Sequence, residues 1–234
     1  MNIINSKIIT CWNNHKAELL ALYGSEDKIL SPILFPDDYI SKCDILFVGL
    51  NPSFSLSFIQ KVKDFDGNNY READFLFMNI KNNENKLIEF EKHVNPFASS
   101  NADYCYKSYF NKIKSITDCC SCANAKTMDL FFYRSTTQSM FEKIKNSDFA
   151  KAQLNISLEM MESFNPKIIV VANAKASEII REKYNSQLIF DDTIGTYTKN
   201  GVAILFSSAF SGQRALDNGS YGRLKWQVKM IFDK

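Results

Sequence analysis

The segment from residue 154 to residue 183 constrains the fold most, because it reads as helix, strand and helix in immediate succession. Apolar side chains recur at helical spacing over 154–164, and Pro166 then prevents that helix from continuing. The wholly apolar run Ile168–Ala172 follows, as expected for a strand covered on both faces. Asn173 stands at the N-cap position of a helix predicted over 174–183. A strand between amphipathic helices indicates an α/β protein with a largely parallel sheet.

A second buried strand is predicted at Ile45–Val48, and it ends in a loop with one polar side chain. Gly49 permits a backbone conformation or a close approach that a Cβ would prevent. Pro52 disfavours helical angles at Asn51, so this amide follows the strand in an extended segment. Open α/β sheets bind ligands at the carboxyl ends of their strands. Asn51 is therefore either a functional amide or part of an ordinary Asn-Pro turn.

Weaker patterns predict most of the remaining elements. The spacing of apolar residues predicts helical structure over 5–23, with Gly24 as the C-terminal cap, and again over 107–116. An apolar run predicts a strand over 128–133. The polar stretch 81–86 favours an exposed loop.

The end of the chain predicts a hairpin, a polar loop and a basic amphipathic helix. Lys199-Asn200-Gly201 is a hairpin signal between strands at 196–198 and 202–206. The second of these strands runs into the loop 207–214, which is rich in serine. Parallel strands carry the loops at their carboxyl ends to one edge of a sheet, so this loop and the one at Asn51 are expected to face a common cleft.

Length, charge and hydropathy bear on the number of domains and on whether the chain binds nucleic acid or membranes. The 234 residues fit one domain spanning 1–234. The net charge is only +2 and the pI about 8.1, so affinity for nucleic acid must come from a local patch. No apolar run approaches the ~20 residues of a membrane span, and the N-terminal residues lack a signal-peptide pattern. We expect a cytoplasmic monomer that does not bind membranes.

Four of the six cysteines lie close together in the sequence. They are Cys105, Cys119, Cys120 and Cys122. Their spacing matches neither the paired motifs of zinc ribbons nor the common iron–sulfur patterns. We expect reduced thiols in a loop, with metal binding as the alternative.

Two short motifs give the chain a family resemblance. Gly49-Leu50-Asn51-Pro52-Ser53 is similar to the first motif of the uracil-DNA glycosylase superfamily, especially its mismatch-specific and single-strand-selective branches. Ser211-Gly212-Gln213-Arg214, after the last strand, resembles the second motif. The unit at 154–183 resembles the one found between these motifs, and the resemblance covers roughly 40–232.

The resemblance implies both a fold and a reaction. The fold would be a three-layer α-β-α sandwich around a central four-stranded, mainly parallel sheet in strand order 2-1-3-4, with residues 54–101 as a variable insertion or lid. Members of this superfamily flip a damaged base out of single- or double-stranded DNA and hydrolyse its bond to deoxyribose. This hydrolysis needs no cofactor and no metal.

The residues that match or adjoin the two motifs receive roles from the same resemblance and from the chemistry of the reaction. Asn51, which would orient water, and Ser211 are the catalytic candidates. The candidates for substrate binding include the aromatic platform for a flipped base, and they are Gly49, Leu50, Pro52, Ser53, Phe54, Phe58, Ser208 and Gly212. The candidates for DNA binding are Gln213, Arg214, Leu216 and Arg223.

The second motif departs from the family pattern at its first position. Ala209 stands where members usually carry His or, in the mismatch-specific branch, Asn. The two histidines, His15 and His93, lie outside both motifs. Two alternatives therefore stay open. One is a non-catalytic protein that binds nucleic acid or nucleotides, and the other is a hydrolase of free nucleosides or nucleotides.

Overall fold

The computed structural model describes residues 2–52, 54, 59, 70–99, 106–121, 123–134, 138–212 and 215–234, with the backbone alone for 138–140. The chain divides into two compact units, each built from three segments. Unit 1 comprises Met1–Ile40, Asn51–Cys105 and Asp129–Met160, and unit 2 comprises Ser41–Leu50, Tyr106–Met128 and Met161–Lys234. One domain over 1–234, with a lid or insertion at 54–101, stays a prediction.

Helices and strands alternate along the described residues. The α-helices there are α1 (Ile3–Asn14), α2 (Lys16–Tyr23), α3 (Ile80–Val94), α4 (Lys107–Thr117), α5 (Gln138–Ile144), α6 (Asp148–Ser163), α7 (Ala174–Tyr184) and α8 (Asn218–Phe232). The strands are β1 (Ile45–Gly49), β2 (Ala125–Asp129), β3 (Ile168–Ala172), β4 (Ile189–Asp191), β5 (Thr196–Lys199) and β6 (Val202–Ser207). Short 3₁₀ turns lie at Glu26–Lys28, Glu72–Phe75, Phe77–Asn79 and Asn185–Gln187.

The sheet belongs to unit 2 and has six strands in the order β2-β1-β3-β6-β5-β4. β1 and β6 both pair with β3 in parallel, whereas β6, β5 and β4 pair antiparallel. The chain is thus α/β, as the alternating pattern predicted, but its sheet is mixed where a mainly parallel one was predicted. The observed strand number and order differ from the predicted four strands in order 2-1-3-4.

The additional strands arise from a hairpin at the end of the sheet. Asn200 and Gly201 both have positive φ, 51° and 81°, which is the backbone of a tight hairpin turn between β5 and β6. This hairpin was predicted correctly. β4 was not predicted, because it is only three residues long and exposes Ile189 and Phe190, so it lacks the pattern of a buried strand.

The central strands are buried because both their faces are covered. Every residue of β1 and of β3 is buried, which confirms the two strands predicted from apolar runs. α7 packs against β3 and β6, and α8 packs against β3. Apolar burial of this kind contributes about 25 cal/mol per Å², so the burial of these strands stabilises the unit.

Two sequence predictions differ from the structure, one in the boundaries of a helix and the other in the type of element. The helical region at 5–23 is two helices, α1 and α2, which meet at His15, and Gly24 is the predicted C-terminal cap with φ of 83°. The polar stretch 81–86 lies in α3, so the loop prediction there was wrong. Its polar residues form the outer face of a helix whose inner face is apolar.

The strand predicted over 128–133 is instead β2 (Ala125–Asp129). The apolar run 130–133 is buried in unit 1 without strand pairing. Burial alone does not distinguish a strand from a buried irregular segment, which explains the error. Among the described residues, none of the helices is both long and apolar enough to cross a membrane.

Candidate functional site

The carboxyl ends of three parallel strands lie at one edge of the sheet in unit 2. Val48 of β1 pairs with Val171 of β3, which pairs in turn with Phe206 of β6. The next residues, Gly49 in β1 and Ser207 in β6, therefore lie at the same level on opposite sides of β3. Both predicted loops thus begin at one edge, and Leu50 follows Gly49 as a half-buried residue.

The end of β3 carries Asn173 at this same edge. Its side-chain oxygen accepts hydrogen bonds from the backbone N–H groups of Lys175 at 2.9 Å and Ala176 at 3.2 Å. Asn173 is therefore the N-cap of α7, as predicted, and it satisfies backbone donors at the start of that helix. The Ser177 hydroxyl donates to the carbonyl of Ser207 at 3.1 Å, which ties α7 to the end of β6.

Phe210 anchors the loop that follows β6. Its side chain is fully buried, with ring centres 6.2 Å from Phe47, 6.1 Å from Tyr109 and 6.3 Å from Tyr221. The position after Ala209 is thus part of the core of unit 2. An anchored loop presents its neighbouring polar groups in a reproducible geometry, which a binding site requires.

Backbone hydrogen bonds close the same loop. The N–H of Leu216 donates to the carbonyl of Ala209 at 2.9 Å, and the N–H of Ala215 donates to the carbonyl of Gly212 at 3.2 Å. Gly212 has φ of 85°, a left-handed conformation that favours glycine, and none of the described residues would contact a Cβ there. Glycine is thus required by the turn and not by close packing.

The predicted site residues of unit 2 differ in exposure. Ser208, Ser211 and Leu216 are half-buried, whereas Gly212 and Arg223 are exposed. Predicted site residues that lie outside the described part of the chain are Ser53, Phe58, Gln213 and Arg214. Their roles stay predictions.

The first motif continues into unit 1. Asn51 and Pro52 are half-buried, and the Asn51 amide donates a long hydrogen bond of 3.4 Å to the carbonyl of Pro52. This local contact resembles a turn cap and leaves the side-chain oxygen able to accept a hydrogen bond from water. Phe54 is buried, with 2% exposure, and its ring centre lies 5.0 Å from that of Phe75.

Phe54 covers a buried ion pair in unit 1. Arg134 donates from Nη2 to Glu91 at 2.6 Å, and the residues are 3% and 7% exposed. The guanidinium carbon of Arg134 lies 5.3 Å from the ring centre of Phe54 and 5.5 Å from those of Phe75 and Phe90. We call these five residues the Arg134 cluster. Because Phe54 belongs to it, the cluster holds the chain three residues beyond Asn51.

The carboxylates near the Arg134 cluster are perturbed by burial. Burial raises the pKa of Glu91, although the Arg134 charge opposes the rise. Burial, and to a smaller extent the charge of Glu91, raise the pKa of Asp129 to about 7. Asp129 is the last residue of β2, so this strand ends in a carboxyl group that titrates near neutral pH. Such groups are candidates for functional sites on physical grounds.

The sequence did not identify Glu91 and Arg134 as a pair, nor Asp129 as a carboxylate close to them. A signal existed for Asp129, because a carboxylate inside an apolar run marks the end of a strand. Glu91 follows Phe90 on the buried face of α3, where an acidic residue requires a partner. Neither signal identifies Arg134 as that partner, since this contact spans 43 residues of sequence.

The cysteines of the described residues are free thiols. Cys11, Cys43 and Cys120 are buried, and burial raises the pKa of Cys11 and of Cys43 to about 12. Over the residues that the structure describes, no three His, Cys, Asp or Glu side chains are grouped as a metal site would need. Cys105 and Cys122 lie outside the described residues, so the metal alternative for the cysteine group stays open.

Comparison with known proteins adds no family to this geometry. No protein-family model matches the chain, and a search of curated proteins finds no match. A function for this chain therefore has to be inferred from the two motifs and from the residues arranged around them.

Proposed function

We propose that this protein is a DNA glycosylase that hydrolyses the N-glycosidic bond of uracil or of another deaminated base. The observation that carries the proposal is the parallel pairing of β1 and β6 with β3, which starts both motif loops at one edge of the sheet. The observed order β2-β1-β3-β6-β5-β4 differs from the expected one, but it keeps β3 between the two strands from which the motif loops start. The hairpin of β4 and β5 then extends this arrangement.

The chemistry assigned to Asn51 suits a dissociative hydrolysis. Cleavage of the bond generates a sugar with oxocarbenium character and an anionic base. A neutral amide is not a strong base, but its oxygen can orient a water molecule towards a sugar that is already cationic. Asn51 has the position for this role, because it follows the end of β1 by two residues.

The loop after β6 supplies donors for the departing base and for DNA. The Ser211 hydroxyl and the backbone N–H of Gly212 are suited to stabilise negative charge on a base oxygen. Arg214 and Arg223 are suited to phosphates, Gln213 to polar groups of the DNA, and Leu216 to the gap left by a flipped base. Phe54 is buried against Arg134 and Phe75, so Phe58, which lies outside the described residues, is the remaining candidate for the base platform.

The test is base release from labelled single- and double-stranded oligonucleotides that carry uracil, hypoxanthine or xanthine, with alkali to reveal abasic sites. Asn51→Ala should reduce release by about 10²-fold, because the water loses its orientation. Asn155→Ala is a matched control, since this asparagine is exposed on α6 and outside both motifs. Unchanged release in Asn51→Ala would contradict the proposal.

A non-catalytic protein that binds nucleic acid or nucleotides is the second candidate, and Ala209 is the observation that favours it. Its methyl group cannot donate a hydrogen bond to a base, and its carbonyl already accepts one from Leu216 within the loop. This candidate predicts DNA binding without base release from any of the oligonucleotides. Release from free nucleosides alone would instead indicate a nucleoside hydrolase.

A further inference from the structure

We infer that the junction of α4 and α8 in unit 2 is a binding site for the phosphodiester backbone of DNA, formed by Lys112, Tyr221 and Lys225. This inference rests on the proposed function for the identity of the anion. The site lies outside the two motifs. Its three side chains are brought together by the packing of two helices that are distant in sequence.

The two helices are joined by polar contacts that place the lysines. The Tyr221 hydroxyl of α8 donates to the carbonyl of Lys112 in α4 at 2.7 Å. The ammonium group of Lys225 donates to the Ser115 hydroxyl at 2.8 Å. Because each helix contributes to both contacts, the backbone positions of Lys112 and Lys225 relative to each other are defined.

Both ammonium groups lie against one aromatic ring. Lys112 Nζ is 5.4 Å and Lys225 Nζ 5.9 Å from the ring centre of Tyr221. Like charges gathered around one ring repel each other, and an anion bound near them relieves that repulsion. The ring offsets part of this repulsion through cation–π attraction, but it carries no net charge.

Neither lysine has a carboxylate partner in the described part of the chain, whereas other lysines on the same helices do. On α4, Lys114 pairs with Asp118 at 3.0 Å, and on α8, Lys229 pairs with Asp233 at 3.7 Å. Each helix therefore neutralises one lysine locally and leaves another one for an external anion.

The position of the junction favours DNA as the source of this anion. Tyr221 contacts Phe210, the anchor of the loop assigned to base and phosphate contacts, and α8 begins directly after that loop. A strand held by the loop would carry further phosphates along the adjoining surface. Lysine contacts to such phosphates give affinity without sequence preference.

The experiment measures the affinity for labelled duplex DNA as a function of salt concentration. The variant Lys112→Gln/Lys225→Gln should weaken binding. It should also make the fall of log K with log salt less steep by about 2 units of slope, one for each lost phosphate contact. The control Lys114→Gln/Lys229→Gln removes the same net charge from the same helices and should leave the slope unchanged. Thermal unfolding and circular dichroism establish that each variant is folded.

The charge-preserving variant Lys112→Arg/Lys225→Arg should retain the slope of the wild type and serves as a rescue. Equal slopes in the two glutamine variants, or a wild type that does not bind DNA, would overturn the inference. Base release is measured separately on the same proteins. A wild type that shows the expected difference in slope but releases no base would reject the proposed glycosylase and retain the site.

Discussion

The two units of the protein hold their cations in opposite ways. In unit 1, Arg134 is buried, bonded to Glu91 and enclosed by three phenylalanine rings. In unit 2, Lys112 and Lys225 lie at a helix junction, each near the ring of Tyr221 and without a carboxylate partner among the described residues. Both arrangements place cations against aromatic rings, but only the first one neutralises its charge internally.

This difference separates a structural cation from one that is available to a ligand. A buried guanidinium that loses its partner, or a buried carboxylate that loses the guanidinium, costs folding free energy. A surface ammonium group contributes little to stability and keeps its charge for solvent or an anion. We therefore expect substitutions in the Arg134 cluster to change stability, and substitutions at the α4–α8 junction to change binding.

The largest effect is expected for Arg134→Met, which leaves Glu91 buried without its partner. This variant should lose about 3–5 kcal/mol of unfolding free energy in urea titrations. The double variant Arg134→Met/Glu91→Leu should lose less than Arg134→Met alone, because the unpaired charge is also removed. A loss below about 1 kcal/mol in the single variant would show that the pair does not stabilise unit 1.

The pH dependence of stability tests the two perturbed carboxyl groups, Glu91 within the Arg134 cluster and Asp129 close to it, without disrupting the packing of the cluster. The pKa of Asp129 is raised to about 7, so the folded protein binds a proton that the unfolded chain releases near pH 4. Stability should therefore fall as the pH rises from about 4 to about 7. Asp129→Asn should flatten this dependence in thermal unfolding curves, leaving only the contribution of Glu91 from this pair of carboxyl groups. Parallel curves for the variant and the wild type would exclude a raised pKa.

Removing a cation–π contact should have an intermediate effect. Phe54→Leu keeps an apolar side chain of similar size over Arg134 but removes the ring, and we expect a loss of about 1–2 kcal/mol. Base release measured on the folded variant would show whether the cluster also positions Asn51. A stability equal to that of the wild type would mean that the ring acts only by filling space.

The smallest effect on stability is expected at the junction of unit 2. Lys112→Gln/Lys225→Gln should change the unfolding free energy by about 1 kcal/mol or less, because the half-buried lysines lose only their cation–π contacts with Tyr221, while glutamine can still hydrogen-bond Ser115. The change in DNA affinity described above should accompany this neutral result. A large loss of stability would instead make the lysines structural and remove the contrast with Arg134.

The parts of the fold that were predicted correctly depend on short stretches of sequence. β1 and β3 followed from apolar runs, the β5–β6 turn from Asn200-Gly201, and the start of α7 from Asn173. The errors arose where a local pattern has two solutions. The polar run 81–86 forms the outer face of a helix, and the apolar run after Asp129 is buried without forming a strand.

The sequence by itself determined the alternation of helices and buried strands, and the two motif loops that follow β1 and β6. These features arise from contacts between residues close in the chain and from apolar burial. Only the tertiary structure decided which charged and polar side chains meet. The Arg134–Glu91 ion pair spans 43 residues of sequence, and the Lys225–Ser115 hydrogen bond spans 110. Electrostatic partners at such separations depend on how the elements pack, and no local pattern encodes that packing.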